Sequence, residues 1–201
     1  MLENTYEKEY WAKDQYVMGI DEAGRGPLCG PLVVACCILP INYQNDLIDD
    51  SKKLTEKKRE ALFKQIIKDA HYFSFRIVEP AEIDSLNIYA ATKKAMNELS
   101  LSSKIHSVTL TDAMPLNRYD VIDMVKGDAK SISIAAASIL AKVVRDHIMK
   151  GYDILYPQYE YSSHKGYPTK RHLELMDRYG LLKIYRMSYK PCKDRVQTKL
   201  F

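Results

Sequence analysis

The stretch Gly19-Ile20-Asp21-Glu22-Ala23-Gly24-Arg25-Gly26-Pro27 ends an apolar run with two adjacent carboxylates and follows them at once with a glycine-flanked cation. Tyr16-Val17-Met18-Gly19-Ile20 reads as a strand buried on both faces, and Leu32 to Leu39 as its hairpin partner. The acids therefore stand at a strand end, beside a backbone whose glycines allow close approach to a ligand. Successive strand residues point to opposite faces. For Asp21 and Glu22 to serve one site, the strand must twist or break at the glycines, or one acid must reach around the sheet edge. A surface turn with two solvated acids is the alternative; acids that interrupt a buried run and precede a Gly-Arg-Gly turn favour a site.

The rest of the chain supplies a sheet and its covering helices. Residues 1–15 read as a short helix packed by Tyr6, Tyr10 and Trp11. Thr55 opens a helical pattern to Ala70, with Leu62, Phe63, Ile66 and Ile67 at helical spacing. His71 to Val78 alternates as a third strand, Ile83 to Asn87 reads as a turn, and Ile88 to Leu99 as a helix. A fourth strand spans about His106 to Thr111, and Val108, Leu110 and Asp112 share its core-facing parity. Asp120 to Val125 is a short fifth strand. Lys126-Gly127-Asp128-Ala129-Lys130 then leads into a long helix reaching about Lys150, whose Ala135-Ala136-Ala137-Ser138 run lets it pack close to the sheet. A last helix is expected over about Thr169 to Tyr179. This order indicates an α/β fold over a mixed sheet.

At 201 residues the chain fits one domain, here about 1–155 as core and 156–201 as a basic helical extension. Residues 162–201 hold ten Lys/Arg and three Asp/Glu, whereas residues 1–161 hold 20 and 23. A basic end on an acid-bearing body suits a polyanionic substrate, or equally a solvated helical face. No apolar run approaches a membrane span, and the N-terminus lacks the regions of a signal peptide. Cys29, Cys36, Cys37 and Cys192 form no metal or disulfide spacing and read as reduced and cytoplasmic. A monomer is the default.

Four acids stand out by position: Asp21, Glu22 and Asp112 at strand ends, and Asp128 just ahead of a helix N-terminus, whose dipole favours the ionised form. Oxygen-only ligands point to Mg²⁺ or Mn²⁺ rather than zinc, and four carboxylates can hold two such ions about 4 Å apart, bracketing a phosphodiester. Arg25 and Lys130 are the nearby cations. Asp146 is a rival, but along one helix it lies about 27 Å from Asp128. With Lys142 and Lys150 at helical spacing it reads as a surface ion pair or structural hydrogen bond. Asp120 and Asp123 read as solvated.

These elements, with Asp50-Ser51-Lys52-Lys53-Leu54, Thr111-Asp112-Ala113, Lys126-Gly127-Asp128, the run from Ser133 to Asp146, and His164-Lys165-Gly166-Tyr167-Pro168-Thr169, closely resemble ribonuclease HII. They occur in that family's order and span roughly Val17 to Tyr189. The related ribonuclease HIII normally carries an extra N-terminal domain, for which 16 residues leave no space. The resemblance implies an RNase H-like fold and Mg²⁺- or Mn²⁺-dependent hydrolysis of RNA phosphodiesters in RNA–DNA hybrids. It also implies cutting on the 5′ side of single ribonucleotides in duplex DNA, leaving 3′-hydroxyl and 5′-phosphate ends. By carry-over, Asp21, Glu22, Asp112 and Asp128 are the catalytic metal ligands. Gly24, Arg25 and Gly26 contact the 2′-hydroxyl, Tyr167 lies at the sugar of the junction, and Lys52 touches the phosphate backbone. Two departures, Tyr185-Arg186-Met187-Ser188-Tyr189 where the family often has a His-Arg pair before Ser-Phe, and Ser163 where lysine is common, bear on C-terminal contacts. The end Gln197-Thr198-Lys199-Leu200-Phe201 resembles the Gln-x-x-Leu-Phe peptide that docks on the sliding clamp, with a frayed terminus as the commoner fate of a chain end. A DNA-directed nuclease of RNase H-like fold, and a non-catalytic hybrid-binding protein, are the competing readings.

Overall fold

A computed structural model describes residues 2, 4–49, 51 and 53–198, and no side chain beyond 196. Lys52 and residues 199–201 lie outside this set. The sheet comprises β1 (Tyr16–Ala23), β2 (Leu32–Ile38), β3 (Tyr72–Val78), β4 (His106–Asp112) and β5 (Val121–Met124), in the order β3-β2-β1-β4-β5. The first three strands are antiparallel neighbours, whereas β4 runs parallel to both β1 and β5. The helices are α1 (Thr5–Trp11), α2 (Glu56–Asp69), α3 (Pro80–Leu86), α4 (Ile88–Ser100) and α5 (Ile132–Leu155), followed by α6 (Tyr161–His164), α7 (Lys170–Tyr179) and α8 (Lys190–Thr198). Parallel strands need a crossover connection; the one between β1 and β4 carries α2, α3 and α4, whereas residues 113–120 join β4 to β5 without a helix.

Side-chain parity splits the core into two layers. Val17, Val33, Ala35, Cys37, Val108 and Leu110 face α2 and α5, with Trp11 of α1 on the same side. Met18, Ile20, Leu32, Val34, Cys36 and Ile38 face α3 and α4. A third cluster joins Leu28, Cys29 and Met149 to Tyr159, Tyr161, Met176, Tyr185 and Cys192, seating residues 156–192 against the β1–β2 loop. Thr55 caps α2 by accepting from the Lys58 amide, as its position predicts.

Three expectations change. The supposed turn at residues 83–87 belongs to α3, which starts on Pro80 at its first position, where proline costs no hydrogen bond. Asn87 then ends α3 with a positive φ of 67° and caps α4 by accepting from the Ala90 amide. β1 continues through both acids to Ala23, paired with Val33, so Asp21 and Glu22 lie within the strand rather than past it. Finally, α7 is followed by α8, a polar helix with no apolar period to announce it.

The tightest joint lies between α5 and β1. A Cβ added at Gly19 would fall 2.1 Å from the Ser133 carbonyl carbon and 2.4 Å from the Ile134 nitrogen. Glycine is required because the obstacle is backbone. Residues 135–137 are alanines at zero exposure, which continues the close approach. The N-terminus of α5 is held from the other side by α1. Buried Glu7 accepts from the Ser131 hydroxyl and, at 3.1 Å, from the Ser133 amide, while the Asn4 carboxamide accepts from the Ile132 amide at 2.8 Å. Gly19→Ala should therefore destabilise the protein by about 3 kcal/mol or more, read as a lower urea midpoint, since the helix must lift from the sheet to admit one methyl.

Candidate active site

The parity that builds the core also delivers the acids. Asp21 follows Val17 and Gly19 on the α5 face of β1, and Asp112 follows Val108 and Leu110 on the same face of β4. The two strands are parallel neighbours, with Ile20 opposite Thr111, so the two carboxylates leave adjacent strand ends side by side. The Gly127 amide donates to Asp112 Oδ1 at 2.8 Å, tying β4 to a single 3-10 turn at Gly127–Ala129 that carries Asp128. That turn runs into α5 through Ser131, whose hydroxyl accepts from the Ile134 amide. Oxygens of Asp21, Asp112 and Asp128 all lie within 4.8 Å of one another, and these three could hold a metal ion. Asp21 and Asp128 are buried and Asp112 partly so.

Three carboxylates brought this close repel each other. Burial raises the Asp21 pKa well above the usual carboxylate range; Glu22 and then Asp112 push the same way, against a hydrogen bond from the Ser138 side chain. A hard divalent cation matches an all-oxygen donor set of this kind and reverses the sign of the local field.

Glu22 has the opposite parity and is not in the triad. It lies at the rim of the same cleft, 3.6 Å from the Arg25 guanidinium. The cleft, about 290 Å³, has Asp21 and Asp112 in its floor, Gly24, Arg25 and Gly26 with Tyr167 along one wall, and Ser51, Ser138, Lys142 and Arg145 along another. Two larger hollows, about 420 and 510 Å³, flank residues 42–48, and no member of the triad lines either. Tyr167 is 43% exposed, and its ring edge lies 3.5 Å from the place a Gly26 Cβ would take.

A family model described as ribonuclease HII matches residues 18–192. The chain belongs to the ribonuclease HII family. Ribonuclease HII of Francisella tularensis subsp. novicida is 51% identical over 179 residues, spanning 87% of this chain and 96% of that protein. Ribonuclease H2 from Pyrococcus horikoshii superposes with a TM-score of 0.75 at 27% identity, over 91% of this chain and 98% of the other. The PCNA:RNase HII complex from Archaeoglobus fulgidus gives 0.76 at 28%, over 87% and 95%. The fold is RNase H-like, and the activity is that of a ribonuclease H, a hydrolase.

In and around this candidate site of the ribonuclease HII chain, several side chains escape a reading of the sequence. Ser138, expected only to pack, shares a 2.9 Å hydrogen bond with buried Ser51 and lines the cleft. Asp146 is buried, not a surface group. It accepts from Lys142 at 2.8 Å, with Arg59 at 3.9 Å, while Lys150 turns instead to Glu56 at 2.8 Å. Arg59 also donates to the Ser51 carbonyl at 2.9 Å, so this network joins Ser51 to α5. Lys142 and Arg145 line the cleft where only Arg25 and Lys130 were expected as cations. Asp120 pairs with Arg118, whereas Asp123 is exposed as expected.

The raised Asp21 pKa sets the sign of a stability test. Below the unfolded carboxylate value of about 4 the group is protonated in both states and costs nothing. As pH rises from there toward the higher folded value, ionisation increasingly favours the unfolded chain. In chelator, Asp21→Asn should therefore melt higher than wild type at pH 8, and the gap should shrink toward pH 4. Saturating divalent metal should raise the wild-type melting point and leave the variant's nearly unchanged.

Proposed function

We propose that the chain is an endoribonuclease that hydrolyses the RNA strand of RNA–DNA hybrids and cuts 5′ to single ribonucleotides embedded in duplex DNA. In this reading Asp21, Glu22, Asp112 and Asp128 hold two divalent cations, Mg²⁺ or Mn²⁺. The observation that carries it is the convergence of three carboxylates, two of which, Asp21 and Asp112, line a cleft whose wall is the Gly24-Arg25-Gly26 turn. Bound cations would supply a water nucleophile at neutral pH and stabilise charge on the leaving oxygen, giving 3′-hydroxyl and 5′-phosphate ends. The protein's own groups do the rest. The 2′-hydroxyl is the atom that separates RNA from DNA, and a turn with glycine at residues 24 and 26 lets backbone groups reach it. Tyr167, standing beside Gly26, offers an aromatic face to the sugar. Arg25 and Lys52 answer the phosphate charge.

The proposal covers the whole chain as one catalytic unit, with residues 156–201 as its basic helical part. It includes a monomeric, cytoplasmic protein, supported by four free, buried cysteines; among the described residues no helix is long and apolar enough to cross a membrane. Docking of Gln197–Phe201 on a sliding clamp is part of the same reading. It rests on the resemblance of those five residues, of which 199–201 lie outside the described set. Deleting residues 197–201 should abolish clamp binding in a pull-down and leave cleavage unchanged; unchanged binding would remove the clamp from the account.

The deciding experiment incubates a duplex containing one ribonucleotide, and its all-DNA counterpart, with Mg²⁺, Mn²⁺ or chelator. Metal-dependent cutting of only the first is expected. Asp21→Asn should lower that rate by at least about a hundredfold, more than the loss of an outer-shell partner costs, while duplex binding persists. Equal cutting of both duplexes would favour a DNA-directed nuclease, and no cutting by folded protein a hybrid-binding one.

A further inference from the structure

The loop from Gly24 to Pro31, which joins β1 to β2, is held by two arginines remote from it in sequence, Arg145 of α5 and Arg186 between α7 and α8. Arg186 has zero exposure. Its Nη2 donates to the Gly24 carbonyl at 2.7 Å and the Gly30 carbonyl at 3.0 Å, its Nη1 to the Arg25 carbonyl at 3.0 Å, and its Nε to Gly30 again at 3.1 Å. Tyr189, bonded to Arg186 Nη1, adds a 2.7 Å bond to the Arg25 carbonyl. Arg145, equally buried, donates from Nε to the Pro31 carbonyl at 3.0 Å and from Nη2 to Cys29 at 3.3 Å. Five loop carbonyls thus end on two guanidinium groups. Burial lowers the pKa of both, yet a guanidinium keeps its charge at any working pH, so these are charge-assisted bonds in a dry setting.

Two further observations show that the loop and the arginines are fitted to each other. Gly24 adopts φ +103°, and a Cβ there would lie 2.1 Å from Arg145 Nε. The segment that carries Arg186 is itself pinned: Asp84 of α3 accepts from the Met187 amide at 2.8 Å and from the Ser188 amide at 2.9 Å. The direction of the peptide units then follows. In a trans peptide the C=O and the next residue's N–H point in opposite directions. Drawing the Gly24 and Arg25 carbonyls onto Arg186 turns the N–H groups of Arg25 and Gly26 away from it, in a turn whose residues 24–26 line the cleft.

We infer that Arg186, backed by Arg145, is the positioning residue for ribonucleotide reading: it holds the Gly24 and Arg25 carbonyls inward and so aims the Arg25 and Gly26 amides at the ribose 2′-oxygen. This rests on the proposed role of the Gly-Arg-Gly turn as the ribose contact. Lysine is the informative replacement, because it keeps the charge but cannot span three carbonyls with a planar fork.

The test compares wild type with Arg186→Lys in three measurements. In amide NMR spectra, the Arg25 and Gly26 cross-peaks should shift or broaden while those of Val17 to Ile20 stay in place. The specificity constant on the single-ribonucleotide duplex should fall roughly tenfold or more, the scale of a lost charged hydrogen bond, with binding to the all-DNA duplex unchanged. Calorimetric Mn²⁺ affinity of the free protein should be unchanged. Undisturbed loop cross-peaks with full activity would overturn the inference, as would parallel losses of Mn²⁺ affinity, DNA binding and cleavage, which would make Arg186 a general support. Should Arg186→Lys fail to fold, Asp84→Ala keeps the arginine but frees its segment, and the same cross-peaks should move by less; no movement overturns the inference. If wild type cuts both duplexes equally, the ribose-reading role fails separately, whatever the loop spectra show.

Discussion

The contact of α5 with β1 at Gly19 organises the molecule from its core to its cleft. Because Ser133 and Ile134 sit directly on the glycine backbone, the rest of α5 has a fixed path across the sheet. Upstream, the 3-10 turn with Asp128 is set beside the ends of β1 and β4. Downstream, at about 1.5 Å per residue, Ser138, Lys142 and Arg145 follow in turn along the cleft wall. One residue without a side chain therefore registers an aspartate, a serine, a lysine and an arginine against the acids of β1. The Glu7 and Asn4 contacts from α1 brace this helix end on its outer side.

Charge in the site is arranged in opposition. On the floor, Asp21 is buried with Asp112 and Asp128 close by, and burial makes the Asp21 carboxyl costly to ionise without a cation. Behind the loop, two buried guanidinium groups bond five loop carbonyls, with the Tyr189 hydroxyl as a further partner of Arg186, and so spend their charge on fixing backbone. The chain thus separates two tasks that a polyanion-cutting enzyme must perform. Under the proposed function, the acids would hold the metal and the arginines shape the turn that would meet the sugar.

Much of this was legible in the residues. The shared parity of Val108, Leu110 and Asp112 is carried by the chain itself, as is the sequence of small residues that brings α5 onto the sheet. Glu22 is instructive, because strand alternation sends it to the face opposite Asp21, and it reaches the cleft only at the rim. The hidden parts depend on partners remote in sequence. Arg145, Asp146 and Arg186 look like ordinary surface charges until loop carbonyls 114 to 162 positions away, or Arg59 across the fold, make their burial possible. The helix α3 is too short to show a period, and α8 is too polar. Their contributions, including the Asp84 anchor, emerge only when the chain is closed.

The account turns on whether the three aspartates act as one ligand set. Anomalous diffraction from crystals soaked in Mn²⁺ measures this directly. The structure predicts a manganese peak bonded at about 2 Å to oxygens of Asp21, Asp112 and Asp128 together. A peak that engages none or only one of them, or no peak at saturating Mn²⁺ with the three carboxylates turned apart, would contradict it.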